Sequence, residues 1–235
     1  MPLLDKVKND SERSNDHGPE MDTTTSQSAT QSQRTTGILP KLTLEKGSSL
    51  KLPKLMRLLS TAGEGFCVEI QSGVNMPEIY LYEGSDNTGR MIARTRTELD
   101  KAVDFCISPI SEKDIVWSEM IMSKDFEECS FDVPGSSDPR NFTWSGLATG
   151  KANDGWMLRD TGTEADVCRF QFAGRSSTFS KEQGTIEWQS AVSREEELAI
   201  LITLLGLLER RRSRQHKVDG VSAGFGSLMM SGTFA

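Results

Sequence analysis

The sequence predicts a mainly β protein (α+β): a closed antiparallel β-barrel of about ten to twelve strands enclosing a hydrophobic C-terminal α-helix. Two observations carry this reading. One is an apolar run near the C-terminus with no polar face. The other is the long series of short alternating segments that precedes it, separated by turn residues.

The helix is the stretch SREEELAILITLLGLLERRRSR, residues 193–214. Ser193 can cap its first turn, and Glu196 three residues on completes a capping box. Glu195, Glu196 and Glu197 sit at the positive end of the helix dipole; Arg210, Arg211, Arg212 and Arg214 are expected at the negative end. Between them, only Thr203 and Gly206 interrupt Ala, Ile and Leu from Leu198 to Leu208. Such a run must be covered on all sides, by protein or by lipid. Eleven residues rise about 16 Å, whereas a bilayer core needs about 20 apolar residues. Cover by protein is therefore the better reading, with Leu198, Leu201, Leu204, Leu205 and Leu208 as the core of the helix, and a transmembrane segment is not expected.

Before the helix, ten strand-like runs are expected: 66–70, 79–83, 91–95, 103–107, 115–120, 126–133, 142–145, 156–159, 167–172 and 185–189. Turns are marked by Gly73, Gly84-Ser85-Asp86-Asn87, Pro134-Gly135, Asn153-Asp154-Gly155 and Gly174. A sheet curled around the helix gives each strand's inner face a partner and covers the helix. The barrel with its helix is expected over 60–215, the helix itself over 194–214.

The flanks differ in composition. Residues 1–37 have no aromatic residue and no Ile, and 23–36 reads TTTSQSATQSQRTT. This segment cannot bury enough surface to offset its ordering entropy and is expected to be disordered. Residues 38–59, a basic-hydrophobic lead-in, alternate Leu42, Leu44 and Leu50, Leu52 with lysines, with Pro40 and Pro53 breaking any long helix. They read either as two short edge strands or as a segment resting on anionic lipid. Residues 216–235, rich in Gly and Ser, are expected to form a flexible tail.

The formal charge of −7 is unevenly spread. Residues 38–58 carry +4, residues 59–208 carry −12 and residues 209–235 carry +3. An acidic body argues against a nucleic-acid partner. The four cysteines are widely spaced without a CxxC pair, and Met1–Asp22 has no secretory pattern, so an intracellular protein with free thiols is expected, cytoplasmic or peripheral on membranes.

The order of pieces resembles the Tubby C-terminal-like superfamily, most closely the small fungal tubby-like domains of unknown function, and is related to the LURP-one-related and phospholipid-scramblase-like proteins. The likeness rests on Phe142-Thr143-Trp144, Gly155-Trp156-Met157-Leu158-Arg159-Asp160, Val167-Cys168-Arg169-Phe170, Gly184-Thr185-Ile186-Glu187 and the apolar helix ending Leu207-Leu208-Glu209-Arg210-Arg211-Arg212. It covers roughly residues 60–215. The resemblance implies a barrel around a hydrophobic helix and a non-enzymatic domain, in some relatives binding phosphoinositide head groups or working at membranes. No phosphoinositide-site motif of the family is matched here.

Enzymatic constellations are not apparent. His17 and His216 lie outside the expected barrel, and no metal-binding or nucleotide-cradle motif occurs. No cofactor and no metal is expected. The four cysteines read as small core hydrophobes, and Trp117, Trp144, Trp156 and Trp188 as strand residues packing in the core or rim. Candidate residues for an anionic ligand are Arg90, Arg94, Arg96, Arg140 and Lys151. Arg94 and Arg96 share one strand face at period two, and Arg140 and Lys151 bracket the 142–144 strand, so two clusters meeting on a barrel rim would hold a phosphate. The alternative is that they are neutralised by Glu98, Asp100 and Asp138. The Arg210–Arg214 run serves as helix C-terminal charge and, where the helix emerges, as a contact for acidic lipid or a partner protein. The expected function is a non-catalytic binding or adaptor module, its partner an anionic membrane lipid such as a phosphoinositide or an unidentified protein. The alternatives are a scramblase-like lipid-handling protein and a protein-interaction domain without lipid binding.

Overall fold

Alternating burial, seen in strands such as β4 and β9, is the signature of a sheet with one face on a core, and here that face covers the helix. The computed structural model describes residues 41–47, 54–61, 65–72, 77–97, 103–107, 115–123, 127–134, 140–147, 155–173 and 182–228, with helix side chains to residue 213. The expected disordered segment 1–37 and the proposed strand around Leu50 and Leu52 lie outside them.

Twelve strands are followed by one helix: β1 Leu42–Lys46, β2 Lys54–Ser60, β3 Gly65–Ser72, β4 Pro77–Glu83, β5 Met91–Thr97, β6 Val103–Ile107, β7 Ser118–Met122, β8 Glu128–Asp132, β9 Asn141–Gly146, β10 Gly155–Asp160, β11 Asp166–Phe172, β12 Glu182–Trp188 and α1 Arg194–Leu228. Every strand pairs antiparallel with its sequence neighbours, and β1 pairs with β12 to close the barrel. The fold class expected from the sequence is the one observed. Ten of the strands fall on the ten expected runs, β6 with the same ends and the others with one or both ends shifted. β7 begins at Ser118 rather than 115, which leaves Trp117 just outside the strand.

Three expectations are corrected. Residues 42–60 are not a lead-in with exposed edges, because Leu42–Glu45 pair with β12 on one side and with β2 on the other. Their inward residues Leu42, Leu44, Met56 and Leu58 belong to the core. The helix does not stop at Arg214 but continues to Leu228, through residues expected to form the flexible tail. Consequently the arginine run lies within the helix, and its last turn carries no basic residue.

The helix begins as its sequence prescribes. Ser193 Oγ accepts from Glu196 N at 3.2 Å, and Ser193 N donates to Glu196 Oε2 at 2.7 Å, a reciprocal capping box. From Leu198 to Leu207 every described side chain is buried, and each buried Leu or Ile contributes about 1.5–3 kcal/mol. Leu208, expected in the core, is only partly buried and packs against its margin. The polar exception, Thr203, is satisfied: its hydroxyl donates to Ala199 O at 2.8 Å and accepts from Trp144 Nε1 at 3.1 Å. Gly206 lets the helix approach the wall, since a Cβ there would sit 3.0 Å from Val103 Cγ1. Phe105, Phe131 and Phe142 add an aromatic chain to the same core, with ring centroids 5.8 Å apart at each step.

The polypeptide enters the barrel axis at the mouth formed by the starts of β3, β5 and β9 and the ends of β4, β10 and β12. It leaves at the opposite mouth, among the ends of β1 and β11 and the start of β2. Among the described residues, no helix is long and apolar enough to cross a membrane.

Replacing Leu204 (1% exposed) by Asp places an unpaired charge among buried apolar side chains, at a cost of about 4 kcal/mol or more. Leu204→Asp should abolish the cooperative melt followed by circular dichroism. Val116→Asp, at a 73% exposed site, should keep the melt within about 0.5 kcal/mol of the wild type.

Candidate functional site

With the interior filled by α1, the described side chains open to a ligand lie on the outer wall and at the two mouths. On the outer wall, β4 and β5 form a hairpin whose register places Tyr80 opposite Arg94 and Glu78 opposite Arg96. β6 then places Cys106 and Asp104 opposite those same arginines. Alternation sends Ile79, Leu81, Ala93 and Thr95 inward, so Glu78, Tyr80, Arg94 and Arg96 stand outside together.

Their charges are already matched. Arg94 Nη2 bonds Glu78 Oε2 at 2.9 Å, and Arg96 bonds Asp104 Oδ2 through Nε at 2.8 Å and Nη2 at 2.7 Å. The Tyr80 hydroxyl also donates to Glu78 Oε2. Burial and then that hydrogen bond to the carboxylate push the Tyr80 phenol up to about 12. Trp117, entering β7, lies under both guanidinium groups, at 5.5 Å from Arg94 and 4.4 Å from Arg96, while Arg94 also lies 5.1 Å from the Tyr80 ring. Tyr82 stacks on Tyr80 with centroids 6.4 Å apart. The result is a continuous aromatic–arginine band across β4 to β7. Val116, which precedes Trp117, and Ile121, further along β7, are the large exposed hydrophobic residues among those described.

At the helix-entry mouth, Arg140 precedes β9. Its Nε and Nη2 donate to Asp160 Oδ2 at 3.0 and 2.5 Å, and its Nη1 donates to Glu196 Oε1 at 2.6 Å. Asp160 Oδ1 in turn accepts from the backbone of Gly162 at 2.9 Å and Thr163 at 3.3 Å. Arg140 therefore joins the barrel rim to the helix cap. Arg194 makes the corresponding link across the mouth, bonding Glu197 at 2.8 Å, approaching Glu83 at 3.5 Å and stacking over Phe66 at 4.9 Å.

Of the five candidate residues, Arg94 and Arg96 are thus on the wall, and Arg140 is at the entry mouth. Arg96 lies near the exit end of β5, so the two clusters do not meet on one rim. Arg90 is exposed in the turn between β4 and β5, where Gly84 adopts φ +96°, a left-handed conformation that glycine tolerates. Lys151 lies outside the described residues, as do Glu98, Asp100 and Asp138. The carboxylates that do neutralise the arginines are Glu78, Asp104, Asp160 and Glu196. Sequence reasoning missed Tyr80, Glu78 and Trp117, although the period-two spacing of Tyr80 and Tyr82 on the strand before Arg94 and Arg96 was a usable signal.

The four cysteines are free and buried. Burial pushes the Cys129 and Cys168 thiols far above their usual value and raises Cys67 and Cys106 as well, the opposite of what a nucleophile needs. Among the described residues, no three of His, Cys, Asp and Glu cluster as metal ligands would. The fold and these surfaces define a helix-filled antiparallel barrel with an aromatic–arginine band on its wall. Comparison of the chain with protein-family models, curated proteins and solved structures finds no match to any of them.

Burial alone would raise the Asp160 carboxyl, but the Arg140 and backbone hydrogen bonds outweigh it and hold it below its ordinary value. A depressed carboxylate contributes stability above the unfolded pKa of about 3.9 and loses it as pH falls through the lower folded value. Arg140→Met should cost about 2 kcal/mol at neutral pH, the guanidinium being partly exposed. It should also flatten the acid limb of a stability-against-pH curve measured by urea unfolding.

Proposed function

We propose that the protein is a non-catalytic adaptor module that binds a protein partner through the outer wall over β4–β7. The observation that carries this reading is the aromatic–arginine band of Trp117, Arg96, Arg94 and Tyr80 beside exposed Val116 and Ile121. Trp, Tyr and Arg are the residues that dominate binding energy at protein interfaces, and here their rotamers are held by stacking and ion pairs before any partner arrives. A protein suits the wall better than an anionic membrane for two reasons. Both arginines are neutralised by carboxylates of the same wall, and the segment 59–208 that builds most of the barrel carries −12.

The non-catalytic part rests on the helix filling the barrel and on thiols buried with raised pKa. The resemblance of the motif order to the Tubby C-terminal-like superfamily supports it too, since a barrel around a hydrophobic helix is what that resemblance implies. The resemblance also implies binding at membranes in some relatives; the wall residues offer that reading no unneutralised cation among Arg94 and Arg96.

A benzophenone amino acid placed at position 116 tests the wall directly in the cells that make the protein. Photo-crosslinking should capture a discrete protein, and adding Ile121→Asp with Arg96→Ala should weaken that capture about tenfold or more while the thermal melt is retained. Crosslinks to lipid alone, or capture unchanged by both substitutions, would refute the assignment.

A further inference from the structure

The helix-exit mouth has a charge balance unlike any other described part of the protein. Immediately after the apolar run come Glu209, Arg210, Arg211 and Arg212. Glu209 and Arg210 are buried, at 5% and 7% exposure, and Arg211 and Arg212 are partly buried. Arg211 stacks 4.8 Å over the Phe172 ring at the end of β11. Arg212 Nη2 bonds Glu209 Oε1 at 2.6 Å. From the wall, Lys54 at the start of β2 faces this group, with Lys46 at the end of β1 close enough to act on its charge.

Two further observations point to a missing acceptor. Arg211 Nη1 and Arg212 Nε are shielded from solvent and have no hydrogen-bond partner. A buried donor left unmade is costly, and more so when it belongs to a charged group. The cations also repel one another. Burial and then Arg212 hold the Lys54 ammonium below its ordinary pKa, with Glu209 the one opposing carboxylate among its neighbours and Lys46 reinforcing the shift. Burial also lowers Arg211. The usual explanation for arginines near a helix end, compensation of the dipole, does not apply, because α1 continues to Leu228.

We propose that Lys54, Arg211 and Arg212 form a binding site for a phosphate group carrying two or more negative charges. Guanidinium forks suit phosphate oxygens in a bidentate mode, and a compact ammonium adds a point charge. The mouth is partly sheltered, so its field is less screened than that of surface lysines. The phosphate belongs either to a soluble compound or to a lipid headgroup. The site shares no residue with the outer wall, so either assignment can fail alone.

The test uses the full chain at low ionic strength. Inorganic pyrophosphate is titrated calorimetrically, and flotation is measured with phosphatidylcholine vesicles with and without phosphatidic acid. The wild type should bind pyrophosphate and melt at a higher temperature in its presence. Arg211→Met and Lys54→Met should each weaken binding about tenfold or more. Their ligand-free melting temperatures should stay level or rise, because an uncompensated half-buried charge has been removed. Flotation that requires phosphatidic acid assigns the phosphate to lipid, and pyrophosphate binding without flotation assigns it to a soluble ligand. Lys54→Met, on β2 rather than on the helix itself, carries the test if Arg211→Met does not fold. Absence of both binding and flotation, or binding untouched by both substitutions, overturns the proposal. In each of those cases crosslinking at position 116 is unaffected.

Discussion

An α-helix that is apolar on every side has to be covered on every side, and the rest of this structure follows from that requirement. One sheet face covers only one side of a helix, so the cover must curl and close. A barrel of about eight strands is filled by its own side chains; twelve leave room for a helix along the axis. Closure also removes sheet edges, which is why β1 and β2 can be Leu-rich without exposing a strand that invites aggregation. Two threonines admitted to the interior are satisfied there, whereas the indole N–H groups of Trp156 and Trp188 are buried without a partner. Thr203 returns its hydroxyl to its own helix and takes the Trp144 indole. Thr95 donates to Asp104 O at 2.7 Å beside Gly206, where a Cβ would crowd Val103.

The two mouths solve the problem of the emerging chain differently. At entry, Glu196 and Glu197 stand at the positive helix end and are each met by an arginine, Arg140 and Arg194, that also reaches the rim. These four charges tie the start of the helix to the rim. At exit, among the described residues, the cations outnumber the carboxylate that faces them, and Arg211 Nη1 and Arg212 Nε are buried without a partner. An entirely structural account would explain the first mouth and leave the second as stored strain. That asymmetry, rather than the mere presence of arginines, is what singles the exit mouth out.

Much of the fold was legible because its signals are local. The capping box of Ser193 and Glu196 and the unbroken run from Leu198 can be read without knowing any long-range contact, and so can the alternation of Phe66, Val68 and Ile70. What was not legible depends on partners distant in sequence. Leu42 and Leu44 read as an edge because their closing partner, β12, lies near the far end of the chain. The counter-ions of Arg94 and Arg96 were sought in the following loop, whereas register supplies them from the flanking strands as Glu78 and Asp104. The helix end was misplaced for a compositional reason. Gly220, Gly224 and Gly226 each cost about 1 kcal/mol relative to Ala in a helix, yet α1 runs through all three.

A filled interior also sets what function can use. In a barrel with a hollow core, specificity comes from a pocket whose shape is set by inward side chains. Here those positions are committed to α1, so changes that alter recognition without unfolding the protein must fall at outward positions and at the mouths. On the wall, Trp117 sits just outside β7 and is stacked by two arginines. At the exit mouth, Arg211 rests on Phe172, a residue at the margin of the core. On the wall and at the exit mouth alike, arginines stack on aromatic rings of the barrel. This division lets the surface change its ligand chemistry while the helix and its twelve strands remain as they are.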